Sequence, residues 1–403
     1  MADSIMNLAT NDKVVRVIVL VILMSSLFVL GPRAGDASQR ASSEKGLAKN
    51  VSGVHYLLLV NTALAPQMTA AKFAEFDRSP YDGIAVAFWH AYDTAPAPSA
   101  EQIESKIAEW KKSTNKDIWP WVYLNRMIGV DAEEHNSYTE QAYFHQFAGA
   151  DLDDKAGALS DYLLHWKNNL RAAKNSKQPG IVCDLEFYNY RKEYDIAVLA
   201  SQTGKKPREV ADILRQLGKR MADTAAAEYP DAKIWFLFTG LSYKDYYKVV
   251  DDQHYPSPAY IVMGLLDEIQ SRHFSLKVLS GGESSLGYCH ESLAQFQEII
   301  EKRASKFVPH LQKYGDSLEL AGTMTLWNEA SGKTGWVKEG ACASAGAKNA
   351  EELQPYLELI LKTFRYNWIY GSSDGSYYAF DPQSAGRFNQ VISKAQASGA
   401  VKH

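Results

Sequence analysis

Two carboxylates follow a short apolar run near the middle of the chain. In the segment GIVCDLEFYN (180–189), Asp184 and Glu186 end a stretch that is typical of a buried β-strand. Side chains alternate along a strand, so both carboxylates face the same side. Buried acids cost free energy unless they have partners or a task. We therefore interpret them either as a pair that performs acid/base catalysis or as strand-end acids that are ion-paired with Arg or Lys.

The elements that would position these acids recur along the chain after residue 50. Eight runs rich in Val, Ile, Phe, Tyr and Trp predict strands at 55–61, 83–90, 118–125, 180–189, 233–240, 275–283, 320–329 and 366–371. Between them, apolar residues at helical spacing predict helices at 100–112, 207–228, 292–311 and 350–364. The run 260–266 suits either state, and we predict a helix because its helical spacing continues to Ile269.

Eight strands alternating with helices predict an α/β fold, a closed (β/α)8 TIM barrel in a single domain at 51–403. The alternative is a doubly wound open sheet. Such a sheet normally has a Gly-rich phosphate turn after its first strand, and no dinucleotide fingerprint or P-loop is present. The loop after the third strand, about 127–156, is long and acidic, and we expect it to line a cleft.

In a barrel, chemistry occurs at the C-terminal ends of the strands. The predicted strand ends are rich in acids, amides and aromatic rings, which suit a polyhydroxylated ligand. The candidates are Asn61, Trp89, His90, Tyr123, Asn125, Arg126, Asp184, Glu186, Tyr188, Asn189, Thr239, Tyr243, Trp327, Asn328, Glu329, Trp368 and Tyr370. Trp327 and Trp368 are interpreted as sugar platforms or as packing rings, and Glu283 as a loop residue of lower rank.

Carboxylates ending the fourth and seventh strands, with a Trp in the eighth, resemble the (β/α)8 glycoside hydrolase superfamily. The resemblance implies a retaining glycosidase in which Glu186 is the general acid/base and Glu329 the nucleophile. That chemistry needs two carboxyl groups about 5 Å apart. Many members carry Asn before the first Glu, whereas Leu185 precedes Glu186 here.

The motif Asp184-Leu185-Glu186 is also similar to the Asp-x-Glu ending of chitinase-like and hyaluronidase-like barrels. That resemblance implies that Glu186 is the acid and that Asp184 orients an acetamido group of the substrate, which acts as the nucleophile. Tyr243 or Tyr188 would then supply a hydroxyl partner. Both mappings require Glu186 as the proton donor and a poly- or oligosaccharide as the substrate.

Two other classes stay open. One is a non-catalytic carbohydrate-binding barrel of the cell envelope, and the other is a barrel aldolase or isomerase. No Lys ends a predicted strand, which disfavours a Schiff base, and no ligand spacing for a metal is present, so we expect neither metal nor organic cofactor. The net charge of −4 argues against a nucleic-acid partner.

The N-terminal segment has the order of an export signal. Lys13 and Arg16 precede the apolar run 17–30, and small residues follow. We predict a cleaved signal peptide or a membrane anchor at 1–37, a linker at 38–50 and an exported protein that meets a membrane only if this segment is retained. Cys183 is predicted to be a core residue, while Cys289 and Cys342 could pair.

Overall fold

Eight parallel strands form the wall of the molecule. The computed structural model describes residues 55–64, 68–89, 97–123, 158–185, 195–245, 249–286, 290–325, 350–370 and 382–399. The strands are β1 (Tyr56–Leu64), β2 (Gly83–Ala87), β3 (Asp117–Tyr123), β4 (Gly180–Asp184), β5 (Lys233–Phe236), β6 (Lys277–Ser280), β7 (Leu318–Thr325) and β8 (Tyr366–Tyr370). Each pairs with the next, and β8 pairs with β1. The predicted single-domain (β/α)8 barrel is therefore confirmed, and the open-sheet alternative is excluded.

Helices connect successive strands on the outside of this wall. They are α1 (Ala70–Asp77), α2 (Ala100–Trp110), α3 (Ala158–Asn175), α4 (Ile196–Thr203), α5 (Pro207–Glu228), α6 (Ser257–Arg272), α7 (Glu283–Leu286), α8 (Leu293–Tyr314), α9 (Ala350–Thr363) and α10 (Pro382–Gly399). The ambiguous run 260–266 lies in α6, as predicted. None of the helices in the described ranges combines the length and apolar character that crossing a bilayer requires.

Local sequence signals explain where helices begin. Ser99 caps α2: its hydroxyl accepts from Gln102 N, and the Gln102 side chain accepts from Ser99 N at 2.8 Å. This reciprocal arrangement satisfies two backbone donors that the first helical turn leaves open. Ile103, Ile107 and Trp110 then occupy one buried face of the helix, as their spacing predicts.

Side chains of the strands alternate between two separate cores. Residues facing outward, such as Cys183 and Leu185, pack against the helices in the larger core. Residues facing inward, such as Val182, Trp121 and Trp368, fill the barrel. Because successive strand residues point to opposite faces, odd and even positions along a strand enter different cores. The interior of the barrel is a packed core, as expected for eight strands.

Aromatic rings fill the N-terminal end of the barrel. Tyr56, Trp119, Trp235 and Tyr366 lie with ring centroids 5.7–6.3 Å apart. The Trp119 indole donates to the Tyr56 hydroxyl at 2.7 Å, and that hydroxyl donates to Asp117 Oδ2 at 2.8 Å. A Cβ at position 83 would lie 2.4 Å from the Tyr56 hydroxyl oxygen, so this packing requires Gly83.

Candidate active site at the C-terminal end of the barrel

Asp184 is the last residue of β4 and lies at the end of the barrel where chemistry is expected. Its neighbours Cys183 and Leu185 belong to the outer core, and Val182 belongs to the inner core. The Asp184 side chain therefore faces the inside of the barrel, and it is only 1% exposed. Burial raises the pKa of the adjacent Cys183 thiol, and the charge of Asp184 raises it further. Asp184 is thus a buried carboxylate at the mouth of the barrel.

The strand register extends the site to the neighbouring strand. Tyr123, the last residue of β3, pairs with Asp184 across the parallel ladder. Tyr123 was predicted to contact the substrate, and its backbone lies beside the buried acid, as the barrel prediction requires.

Many of the predicted site residues lie outside the described part of the chain. These are His90, Asn125, Arg126, Glu186, Tyr188, Asn189, Trp327, Asn328 and Glu329, together with the loop 127–156 and both Cys289 and Cys342. The side chains of Asn61 and Tyr123 are likewise outside the description. The roles assigned to these residues stay predictions.

Trp368 lies inside the barrel and is not a surface ring. It is 1% exposed, belongs to the inner core, and donates its indole N–H to Gly281 O at 3.1 Å. Stacking on a sugar requires an open ring face, so of the two interpretations of Trp368 the structure displays packing. Tyr370, two residues further along β8, is 8% exposed and makes an edge-to-face contact with Trp368.

Trp89 and Tyr243 both contact residues of the helical layer. The Trp89 ring lies 4.8 Å from the ring of His165 on α3. Tyr243 packs 5.8 Å from Phe238, and the Lys306 ammonium of α8 lies 5.9 Å from its ring centroid. Both residues are half-buried near strand ends. Their proposed substrate contacts stay predictions.

Glu283 has a more defined place than the sequence indicated. It was interpreted as a loop residue of low rank, but it is the first residue of α7 and only 3% exposed. Its backbone N–H donates to Leu237 O at 3.1 Å, beyond the end of β5. Glu283 follows Ser280, the last residue of β6, by three residues, and an acid this close to the C-terminal end of a barrel strand is the signal that would have raised its rank.

The described residues include three carboxylates that are less than a tenth exposed: Asp184, Glu283 and Glu319. Glu319 lies near the start of β7 and is ion-paired with Lys277 at 3.2 Å. The other two lie at the C-terminal end of the barrel. In the described ranges, no group of three His, Cys, Asp or Glu side chains is arranged to hold a metal ion.

The comparisons with known proteins concern architecture. No family model and no curated protein matches the chain. Solved structures that resemble it include endo-glycoceramidase II from Rhodococcus sp., with 12% identity over 83% of this chain and 78% of that one, at a TM-score of 0.48. A glycoside hydrolase family 5 enzyme from Prevotella bryantii B14 has 10% identity over 89% and 97%, also at 0.48. A sugar phosphate isomerase/epimerase from Parabacteroides distasonis has 8% over 87% and 97%, at 0.40.

These matches combine a glycoside hydrolase with an isomerase. At such identities and TM-scores, none of these likenesses assigns an activity to the chain. Its function has to be argued from its own residues.

Proposed function

We propose that the protein is an exported glycoside hydrolase that cleaves glycosidic bonds of a poly- or oligosaccharide, with Glu186 as the proton donor. The observation that carries the proposal is Asp184, a buried acid that faces inward at the C-terminal end of β4. Glu186 follows it by two residues. Alternation along a strand would place Glu186 on the same side as Asp184, where its protonated carboxyl group can act as a general acid.

In the proposed reaction Glu186 protonates the oxygen of the leaving sugar while the glycosidic bond breaks. The partner that stabilises the anomeric carbon is one of two acids. If it is Glu329, its carboxylate attacks the anomeric carbon, and water activated by Glu186 then hydrolyses the covalent intermediate with retention of configuration. If it is Asp184, the carboxylate orients an acetamido group of the substrate, which attacks in place of the enzyme.

Export is proposed from the apolar run 17–30, which lies outside the described residues. A basic start, a short apolar core and small residues beyond it suit a signal peptide better than a spanning helix, which needs about 20 apolar residues. N-terminal sequencing of the protein from the producing cell tests the cleavage. A chain that keeps Met1 in the mature protein would contradict it.

The function is tested by a panel of 4-nitrophenyl glycosides with and without a 2-acetamido group, together with reducing-end assays on polysaccharides. Glu186→Gln should lower kcat on any cleaved substrate by about 10³-fold or more, because proton donation is lost while the shape is kept. The matched control is Glu319→Gln, which alters a buried acid at the other end of the barrel. Full activity of Glu186→Gln would overturn the assignment.

Glu329→Gln separates the two mechanisms. A carboxylate nucleophile predicts a severe loss together with activity on glycosides that lack an acetamido group. Substrate assistance predicts a mild loss, and hydrolysis confined to 2-acetamido glycosides.

A further inference from the structure

The segment 281–283 after β6 is fixed against the barrel by contacts from several elements. Gly281 N donates to Phe236 O at 2.7 Å, and Glu283 N donates to Leu237 O at 3.1 Å. These bonds continue the pairing of β6 with β5 past Ser280, the last residue of the strand. The backbone that carries Glu283 is therefore an extension of the barrel wall.

A second contact comes from inside the barrel. Trp368 of β8 donates its indole N–H to Gly281 O at 3.1 Å. Strands β8 and β6 are not neighbours, since β7 lies between them. The indole thus links the segment 281–283 to β8 through the inner core. Close packing of that core holds the indole in one position.

Arg303 of α8 provides the third contact. Its Nη1 donates to Ala321 O at 3.0 Å and its Nη2 to Ser280 O at 2.7 Å. The last pair of β6 and β7 is Ser280 with Leu320. The guanidinium therefore bridges the two strands at the level where their own ladder ends.

Keeping a guanidinium in this place is energetically costly. Arg303 is 3% exposed and forms no ion pair with any described carboxylate, and burial lowers its pKa to about 10. Its charge lies 5.2 Å from the Phe307 ring centroid and 5.8 Å from that of Phe364, which offsets part of the desolvation. Gly282 has φ +75°, and a Cβ there would lie 2.6 Å from the Arg303 Cζ atom. The backbone of the segment is shaped to accept this arginine.

The register places Glu283 near Asp184. Leu237 N donates to Cys183 O at 3.0 Å, so the end of β4 and the residue after β5 are adjacent. Leu237 O in turn accepts from Glu283 N. Asp184 and Glu283 are thus carried on either side of β5, two strand spacings or roughly 10 Å apart along the wall. Both are buried at the same end of the barrel.

We propose that Glu283 is a further substrate-contacting acid of this site, accepting a hydrogen bond from a sugar hydroxyl, and that Arg303 is the residue that positions it. The inference rests on the proposed glycosidase function and adds an acid that follows β6 to the acids proposed for the fourth and seventh strand ends. In this proposal the buried Arg303 guanidinium holds the end of β6 against β7.

The test uses the full chain and the 4-nitrophenyl glycoside that the wild-type protein cleaves fastest. Glu283→Gln should lower kcat/KM by about 10- to 100-fold, the range for a hydrogen bond to a charged group. Its unfolding midpoint in urea should match that of the control Glu319→Gln, whose acid is 8% exposed against 3% for Glu283 and lies at the opposite end. A pH profile that loses one acidic limb in Glu283→Gln would distinguish a contact with substrate from a structural acid.

Arg303→Lys keeps the charge and loses the two-pronged bridge, and we expect a smaller loss of kcat/KM than in Glu283→Gln. Arg215→Lys is the matched control, since Arg215 pairs with Asp267 in the helical layer. Because Arg303 acts through Glu283, Arg303→Lys should have little further effect in a Glu283→Gln background. Fully multiplicative losses in the double variant would overturn the positioning role.

The outcomes separate the two proposals. If Glu186→Gln is inactive and Glu283→Gln behaves like Glu319→Gln, the inference fails and the glycosidase assignment stands. A wild-type protein that cleaves nothing in the panel overturns the assignment, and the inference with it.

Discussion

The acids at the N-terminal and C-terminal ends of the barrel lie in different surroundings. At the N-terminal end Asp117 accepts from Tyr56, Asp82 accepts from Leu57 N, and Glu319 is ion-paired with Lys277. At the C-terminal end Asp184 and Glu283 are buried at strand ends above the packed interior. In a (β/α)8 barrel the N-terminal face serves stability and the C-terminal face serves chemistry, so we expect substitutions of the first group to change stability and substitutions of the second to change activity.

The largest effect on stability is expected at the aromatic end. Trp235→Ala removes a fully buried indole that contacts Tyr56, Trp119 and Tyr366. We expect a loss of about 3–5 kcal/mol in the free energy of unfolding. Urea denaturation measures it, with Trp235→Phe as the smaller change. Activity per folded molecule should stay at the wild-type level, and a selective loss of kcat would contradict the division.

Asp184→Asn tests the other end. Both proposed mechanisms use the charge of this carboxylate, or the environment that it creates for Glu186. We expect kcat/KM to fall by about 10²-fold, which is about 2.7 kcal/mol in transition-state stabilisation. Steady-state kinetics measure the effect, and Asp117→Asn is the control at the N-terminal end. Equal activities of the two variants would show that Asp184 is not part of the active site.

Tyr56→Phe removes one hydroxyl between two partners. The indole N–H of Trp119 and the carboxylate of Asp117 would both lose a hydrogen bond inside the barrel. We expect a loss of about 1–3 kcal/mol in the free energy of unfolding. Tyr366→Phe is the matched control, because its hydroxyl makes no hydrogen bond to another residue in the described ranges. Equal stabilities for both variants would contradict the importance of this chain of bonds.

The smallest effect concerns pH. Burial raises the pKa of Asp117, and the hydrogen bond from Tyr56 offsets part of this. Since the folded state binds the proton more tightly than the unfolded state, the wild type loses stability as pH rises from the ordinary pKa near 4 to the raised value. Asn at this position keeps an acceptor for Tyr56 without the charge.

Asp117→Asn should therefore gain stability relative to the wild type between pH 3 and pH 7, by less than about 1 kcal/mol because the site is partly exposed. Urea denaturation at both pH values measures the change. A relative loss at pH 7 would mean that the charge itself stabilises the fold.

The barrel was predictable because its signals are local. Each strand is a short apolar run, and Ser99 and Gln102 mark the start of α2 by their own side-chain chemistry. The helix at 260–266 followed from spacing that continues beyond the run. The short helix at Glu283 did not follow, since four residues carry no period and Gly281-Gly282 indicates a loop.

Burial was the harder property to predict. Trp368 and Tyr243 are both aromatic residues near strand ends in the sequence. One lies inside the barrel with its indole bonded to Gly281, and the other packs beside α8. Which of them is open to a ligand depends on neighbours that are distant in the chain, such as Gly281 and Lys306.

The sequence by itself determined the eight strands and the alternation that puts Asp184 and Glu186 on one side of β4, because alternation and apolar runs are properties of adjacent residues. Only the tertiary structure decided that Glu283 is buried and that Arg303 bridges β6 to β7. Those facts depend on contacts between residues that are distant in the chain, such as the Arg303 bonds to carbonyl groups 18 and 23 positions away. Closure made the ends of the strands into one rim and determined which of its acids are buried.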